Sequence, residues 1–226
     1  MKITYYGHAC FSAEINGKRR LFDPFVSQNP LAKAVDINKI KADYIFISHA
    51  HFDHMADAVA IANSTGATVV SNYEIVNWLT KKGLKNLQPL NAGGTFASDF
   101  GRAKCVNAIH SSSFEDGSYG GVAGGFVVES SEGNFYYSGD TALTLDMKLI
   151  SETTKLKFAV LCTGGTLTMD AGEAIRAAGL LECKEIVGVH YDTFPAIKID
   201  HEAAKEKFKS KGLNLHLLAI GSSQDF

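Results

Sequence analysis

Apolar and polar positions alternate from the first residues. Lys2 to Tyr6 and Ala9 to Ile15 read as strands, Asn16-Gly17 as a hairpin turn, and Lys18 to Phe22 as the returning strand. Asp23-Pro24 stops that strand, because proline donates nothing to a ladder. After a loop containing Asn29-Pro30, the apolar run Tyr44 to Ile47 predicts a buried strand. Met55 to Ala62 has helical spacing and Thr68 to Val70 is strand-like. Ile75, Val76 and Leu79 recur at helical spacing up to Gly83, a helix stop. The middle is β-rich: Thr95 to Phe100, Ala103 to Ile109, Gly125 to Glu129 and Asn134 to Tyr137. The last part alternates helix Leu145 to Ile150, strand Phe158 to Leu161, helix Ala171 to Ala178, strand Ile186 to Val189, helix His201 to Lys209 and strand Leu213 to Leu218. Runs of strands followed by β-α alternation, twice over, predict two mixed sheets with helices outside. No linker or charge run divides residues 1–226, so a single domain is expected.

Composition narrows the partners. With 46% hydrophobic and 20% charged residues and a net charge of -2, nothing draws the chain to nucleic acid or an anionic membrane. The longest apolar runs are strand-length, short of the roughly 20 residues that span a bilayer. Cys10, Cys105, Cys162 and Cys183 are scattered with no C-x-x-C pair, which favours free thiols in a reducing compartment. Met1 to Tyr5 alternate like a strand rather than a signal peptide, so a cytoplasmic location is expected.

The chemistry concentrates in Ser48-His49-Ala50-His51-Phe52-Asp53-His54, directly after the strand ending at Ile47. One histidine there is most simply satisfied by backbone carbonyls, but three histidines and an aspartate within six residues make a donor set for zinc, manganese or iron. Three further polar residues each end an apolar run: His110, Asp140 in Ser138-Gly139-Asp140-Thr141, and His190 before Tyr191-Asp192-Thr193. Side chains at strand ends converge on one sheet edge. The stretch Gly7-His8-Ala9-Cys10-Phe11 leaves His8 open as a metal ligand, half of a Cys-His pair or a strand histidine. The glycine-rich Gly120 to Gly125 fits no nucleotide loop and is expected to let a flexible loop approach the site.

The series H-x-H-x-D-H, a later histidine, Gly-Asp at a strand end and a last histidine resembles the metallo-β-lactamase superfamily. Gly7 to Phe11, Phe22-Asp23-Pro24-Phe25, Thr168-Met169-Asp170 and His190 to Pro195 further resemble bacterial metal-dependent hydrolases related to the ascorbate-6-phosphate lactonases. The resemblance implies an α+β, four-layer αββα sandwich with two divalent ions at the edge between the sheets. By position, His49, His51 and His110 would hold one ion, Asp53, His54 and His190 the other, and Asp140 would bridge them. Zinc is expected first, and the mixed nitrogen and oxygen donors also suit manganese, nickel or iron. A hydroxide shared by the two ions would then cleave a small ester, lactone or phosphodiester. Asp53 would double as proton shuttle. Asp23 would orient the histidine loop or cap the Pro24 turn, Ser111 would meet phosphate or backbone, and Thr193 would lie beside the site. With seven donors supplied elsewhere, His8 is read as a residue on the rim or just behind the ligands, one that contacts substrate or donates a proton. A small molecule is the expected partner, and self-association is the one assembly the resemblance suggests. The competing classes on the same ligands are an iron-dependent oxidoreductase and a non-catalytic metal-binding sensor.

Overall fold

The computed structural model describes residues 1–226. The chain starts as a meander of β1 (Lys2–Gly7), β2 (Cys10–Ile15) and β3 (Lys18–Phe22), then crosses to β4 (Tyr44–Phe46). Two short helices follow, α1 (Phe52–Met55) and α2 (Ala58–Thr65), then β5 (Thr68–Ser71), α3 (Tyr73–Lys81) and β6 (Leu87–Pro89). A second meander runs through β7 (Thr95–Ser98), β8 (Gly101–Asn107), β9 (Gly124–Ser130) and β10 (Gly133–Tyr137). It continues into α4 (Asp146–Thr153), β11 (Phe158–Cys162), α5 (Ala171–Leu180), β12 (Glu185–Val189), α6 (His201–Lys209), β13 (Asn214–His216) and β14 (Ser223–Asp225).

These strands form two seven-stranded sheets, ordered β14-β1-β2-β3-β4-β5-β6 and β13-β12-β11-β10-β9-β8-β7. Both sheets are mixed: β1-β2, β2-β3 and β9-β10 are antiparallel across tight turns, β4-β5, β10-β11 and β11-β12 are parallel across helical crossovers, and β3-β4 is parallel across a long loop. Period-two alternation decides which side chains lie between the sheets. Phe22, Phe46, Val70, Phe135, Tyr137, Phe158 and Val160 point into the central core. Their neighbours Leu21, Ile45 and Val69 pack under α2 and α3, while Tyr136, Ala159 and Leu161 pack under α4, α5 and α6. The result is the expected αββα sandwich. Stacked rings tie the layers together, with Phe11 and Phe22 centroids 4.6 Å apart and Phe22 and Phe46 5.1 Å apart.

Several boundaries differ from the sequence reading. The helix read over Met55 to Ala62 is broken at Asp57, whose carboxylate accepts from the amides of Val26 (2.6 Å) and Ser27 (2.9 Å) and from the Ser27 hydroxyl. That bond set pins the loop after β3 to the start of α2. The strand read as Ala103 to Ile109 ends at Asn107, which puts Ile109 and His110 on a loop. Strands β6 and β14 were not anticipated. Each has three residues, and Ser223-Gln224-Asp225 has no apolar position to betray it. No helix is long and apolar enough to cross a membrane.

Candidate metal centre

The C-terminal ends of β1, β3, β4, β10 and β12 deliver His8, Asp23, the His49–His54 segment, Asp140 and His190, and the loop after β8 adds His110. Three of these turns need unusual backbone, at four residues. His8, Asp23, His190 and Asp192 all have left-handed φ (55°, 41°, 59° and 63°), a conformation costing non-glycine residues roughly 1–2 kcal/mol each. Hydrogen bonds hold it: the His190 amide donates to the His8 carbonyl at 2.8 Å, the Tyr5 hydroxyl to the same oxygen at 3.0 Å, and the Asp23 amide to Phe46 at 2.9 Å. Gly139 lets the Asp140 turn approach closely, since a Cβ there would lie 2.9 Å from Ser48 Cβ and 2.6 Å from the Gly124 carbonyl oxygen. The glycine-rich segment is packed, not free. A Cβ on Gly120 would collide with Ala50, and Asn72 Nδ2 donates to the carbonyls of Gly120 (2.9 Å) and Val122 (3.2 Å).

The donors gather in two adjoining groups: His49, His51 and His110 in one, and His8, Asp53, His54 and His190 in the other. Asp140 faces both. Its Oδ2 lies 2.9 Å from His190 Nε2, 3.3 Å from His54 Nε2 and 3.6 Å from His110 Nε2.

Asp23, fully buried, organises the histidines from behind. It accepts four hydrogen bonds: from Ser48 N (2.7 Å), Ser48 Oγ (2.5 Å), His54 Nδ1 (2.7 Å) and Tyr137 OH (2.6 Å). The single Ser48 hydroxyl proton goes to Asp23, so at 2.9 Å the Ser48 oxygen accepts from His49 Nδ1–H. One carboxylate therefore sets the tautomers of His54 directly and of His49 through Ser48, turning both Nε2 atoms toward the cluster. His49 Nε2 then meets His51 Nδ1 at 2.9 Å, and buried His54 Nε2 and Asp140 Oδ1 have no hydrogen-bond partner. Buried orphans of this kind cost about 1–3 kcal/mol each unless something takes them. A cation does so, and the nitrogen and oxygen donor set fits a divalent one.

The electrostatics agree. Burial pushes His49 well below its ordinary pKa, and lowers His51 and His110 as well, leaving neutral rings able to ligate. Burial also works against a proton on His54, but Asp140 and Asp23 outweigh it and hold its pKa well above the usual value. Without a cation, His54 keeps a proton where a cation would sit. Burial opposes the charge on Asp140 too, yet His54 and His190 hold its carboxyl well below the usual range.

Of the two placements read for His8, the structure takes the one behind the donors. The His8 ring is buried, with Nε2 3.0 Å from Asp53 Oδ2 and Nδ1 3.0 Å from Thr193 Oγ1, and its centroid lies 4.2 Å from that of His190. Burial lowers its pKa to about 4, only partly offset by the Asp53 hydrogen bond. For Asp53, burial is outweighed by the His8 hydrogen bond and the His54 and His8 charges, and its carboxyl stays below the usual range. Thr193 thus touches His8 and not the cavity, whereas Ser111 Oγ stands 3.3 Å from His51 Nε2 on the cavity wall. Cys10 packs under the helices of the first sheet, far from pairing with His8, and all four cysteines are free and buried.

A cavity of about 620 Å³ opens over the cluster, walled by Phe52, Phe114, Leu167 and Phe194 besides the donors. The sequence reading missed these walls, and also Ser48 and Tyr137 behind Asp23. Only the Ser directly before the histidine run offered a signal. A separate cavity of about 420 Å³ between α4 and strands β8 and β9 contains no metal-donor cluster, and its Arg102 is paired with Glu129.

Two mixed sheets in a sandwich, with clustered histidines and aspartates at one edge, define the class of protein. A family model described as a beta-lactamase superfamily domain matches residues 2–190. The chain is 55% identical to a UPF0173 metal-dependent hydrolase of Methylacidiphilum infernorum over 99% of both chains, and 54% identical to one of Flavobacterium johnsoniae, again over 99% of both. Among solved structures it is similar to Igni18, a metallo hydrolase of the archaeon Ignicoccus hospitalis, with a TM-score of 0.89, 34% identity and coverage of 100% and 98%. The chain belongs to the metallo-β-lactamase superfamily and, within it, to the UPF0173 metal-dependent hydrolases.

Proposed function

We propose that the two donor groups each take one divalent cation and that the pair hydrolyses a small ester, lactone or phosphodiester. His49, His51 and His110 would hold the first cation, Asp53, His54 and His190 the second, and Asp140 would face both. The carrying observation is that His54 Nε2 and Asp140 Oδ1, both buried, have no hydrogen-bond partner at the point where His54, His110 and His190 converge on Asp140. Zinc suits these donors, as do manganese, nickel and iron. When bound, such a pair supplies Lewis acidity and a water whose pKa falls toward about 7.

The chain supplies the rest. Asp23 and Ser48 keep His49 and His54 in the tautomer that ligates. Asp53, on the cavity wall, receives the proton of the attacking water and passes it to the departing oxygen. Overall, water adds across the scissile bond, oxygen to the electrophilic carbon or phosphorus and proton to the leaving group. His8 acts through Asp53 as a positioning residue, and Thr193 orients His8. The buried free thiols agree with a reducing cytoplasm.

Metal-replete protein is expected to bind two equivalents and to turn over acyl or phosphoryl probes, with turnover lost in a folded Asp140→Asn variant. Stoichiometric iron with redox turnover and no hydrolysis would replace this reading by the oxidoreductase one, and metal binding without any turnover by the sensor one.

A further inference from the structure

We infer that the substrate is an uncharged acyl compound, an ester or lactone, carrying an apolar arm that lies in a slot beside the metal centre. This rests on the hydrolase reading above and narrows it, since the phosphorylated alternatives drop out. Two independent features carry it.

The first is charge. No lysine or arginine lines the 620 Å³ cavity. Apart from the metal donors its one charged wall residue is Glu115, whose sign repels an anion. Beyond the proposed cations, the wall offers neither the arginine forks nor the lysine charges with which sites hold the non-reacting oxygens of a phosphate group. Its other large walls are carbon: Phe52 and Leu167 remain 43% and 55% exposed although large and apolar, which marks a surface waiting for an apolar contact.

The second is a side slot. A smaller cavity of about 150 Å³ shares Phe52, Phe114 and Glu115 with the main one and runs between Met55, Val59 and Trp78. Trp78 stacks on Phe114 with centroids 5.2 Å apart and planes 13° apart, forming a flat apolar wall. Seven of its nine lining residues are apolar, and a space of this volume takes a guest about the size of benzene. An arm of several carbons, attached to a carbonyl held over the metal donors, would reach it past Phe52 and Phe114, the side chains that border both cavities.

The test compares p-nitrophenyl acetate, butyrate and hexanoate with bis(p-nitrophenyl) phosphate on metal-replete protein. Each added methylene should raise kcat/KM about three- to fourfold until the slot is full, and the phosphodiester should fall below all three esters. Val59→Phe, which fills the slot, should flatten the series and leave acetate hydrolysis unchanged. Val59→Ala should shift the optimum to a longer chain. Trp78 is the only tryptophan, so its fluorescence reports the slot without turnover. Hexanamide should change it saturably in the wild type and not in Val59→Phe, and inorganic phosphate should leave it unchanged. A phosphodiester turned over as well as the hexanoate ester, a flat ester series, or a silent Trp78 would each overturn the proposal. If no probe of either class is hydrolysed while hexanamide still shifts Trp78, the apolar subsite stands and the hydrolase reading fails.

Discussion

The two donor groups of the candidate metal centre, the halves of the proposed site, are built in opposite ways. In the first, His49 and His51 sit two residues apart on one extended loop, His110 joins from the loop after β8 in the far sheet, and none of the three has strained backbone. In the second, Asp53 and His54 lie on a four-residue helix, and His190 arrives from the far sheet on a left-handed turn. That turn is hydrogen-bonded to another left-handed residue, His8. The first half takes a local histidine pair and one ring from across the sandwich, all in relaxed backbone. The second exists only once the β1–β2 turn and the end of β12 have docked, and roughly 1–3 kcal/mol of local strain per residue is held there by the surrounding fold. Local sequence can make a ligand pair. A strained, long-range ligand needs a scaffold.

Mutations can break this contrast, beginning with the residue that serves both halves. Asp140→Asn removes the carboxylate shared by His54, His190 and His110. It should lower kcat/KM by about a thousandfold or more and leave fewer than two bound metals by elemental analysis. Asp23→Asn comes next, because it acts on both halves from behind. Affinity for both cations should fall about 10- to 100-fold in a chelator competition, and unfolding should be easier by about 2–4 kcal/mol, since Ser48, His54 and Tyr137 lose their common acceptor. Equal retention of both metals in that variant would argue against the shared anchor.

His8→Ala should separate the halves. Affinity at the second site should weaken about tenfold while the first is unchanged in a two-site calorimetric titration. Thr193→Val should reproduce a weaker version of the same pattern. The smallest effect is a proton count. His54 is held protonated by Asp140 and Asp23 in the metal-free centre, so a cation must displace that proton. Loading the second half should release about one proton more than loading the first, whose rings burial keeps neutral, and affinity there should fall as pH drops. Calorimetry in buffers of different ionisation enthalpy reads this directly. Equal release from both halves would erase the distinction.

Much of this centre was legible from the chain. The cluster His49 to His54, and the polar residues His110, Asp140 and His190 each following an apolar run, could be placed at one sheet edge because strand ends are readable from periodicity. What escaped was everything defined by contact across the sandwich. Ser48 looked like part of the motif and proved to be the link between Asp23 and His49. Tyr137 looked like a core strand residue and donates to Asp23 from the opposite sheet. His8 could lie on the rim or behind the ligands once Gly7 breaks its strand, and the left-handed turn decides between them by folding its ring inward against Asp53 and His190.

The sequence by itself determined the class, the layers and the donor identities, because hydrophobic period and ligand chemistry are properties of residue types and their spacing. Only the tertiary structure decided which nitrogen each histidine turns toward the centre, that Asp23 governs two of those choices, and that the cavity walls are carbon with no cation. Tautomer, burial and wall charge depend on partners tens to hundreds of residues away, and spacing along the chain has no means of recording them.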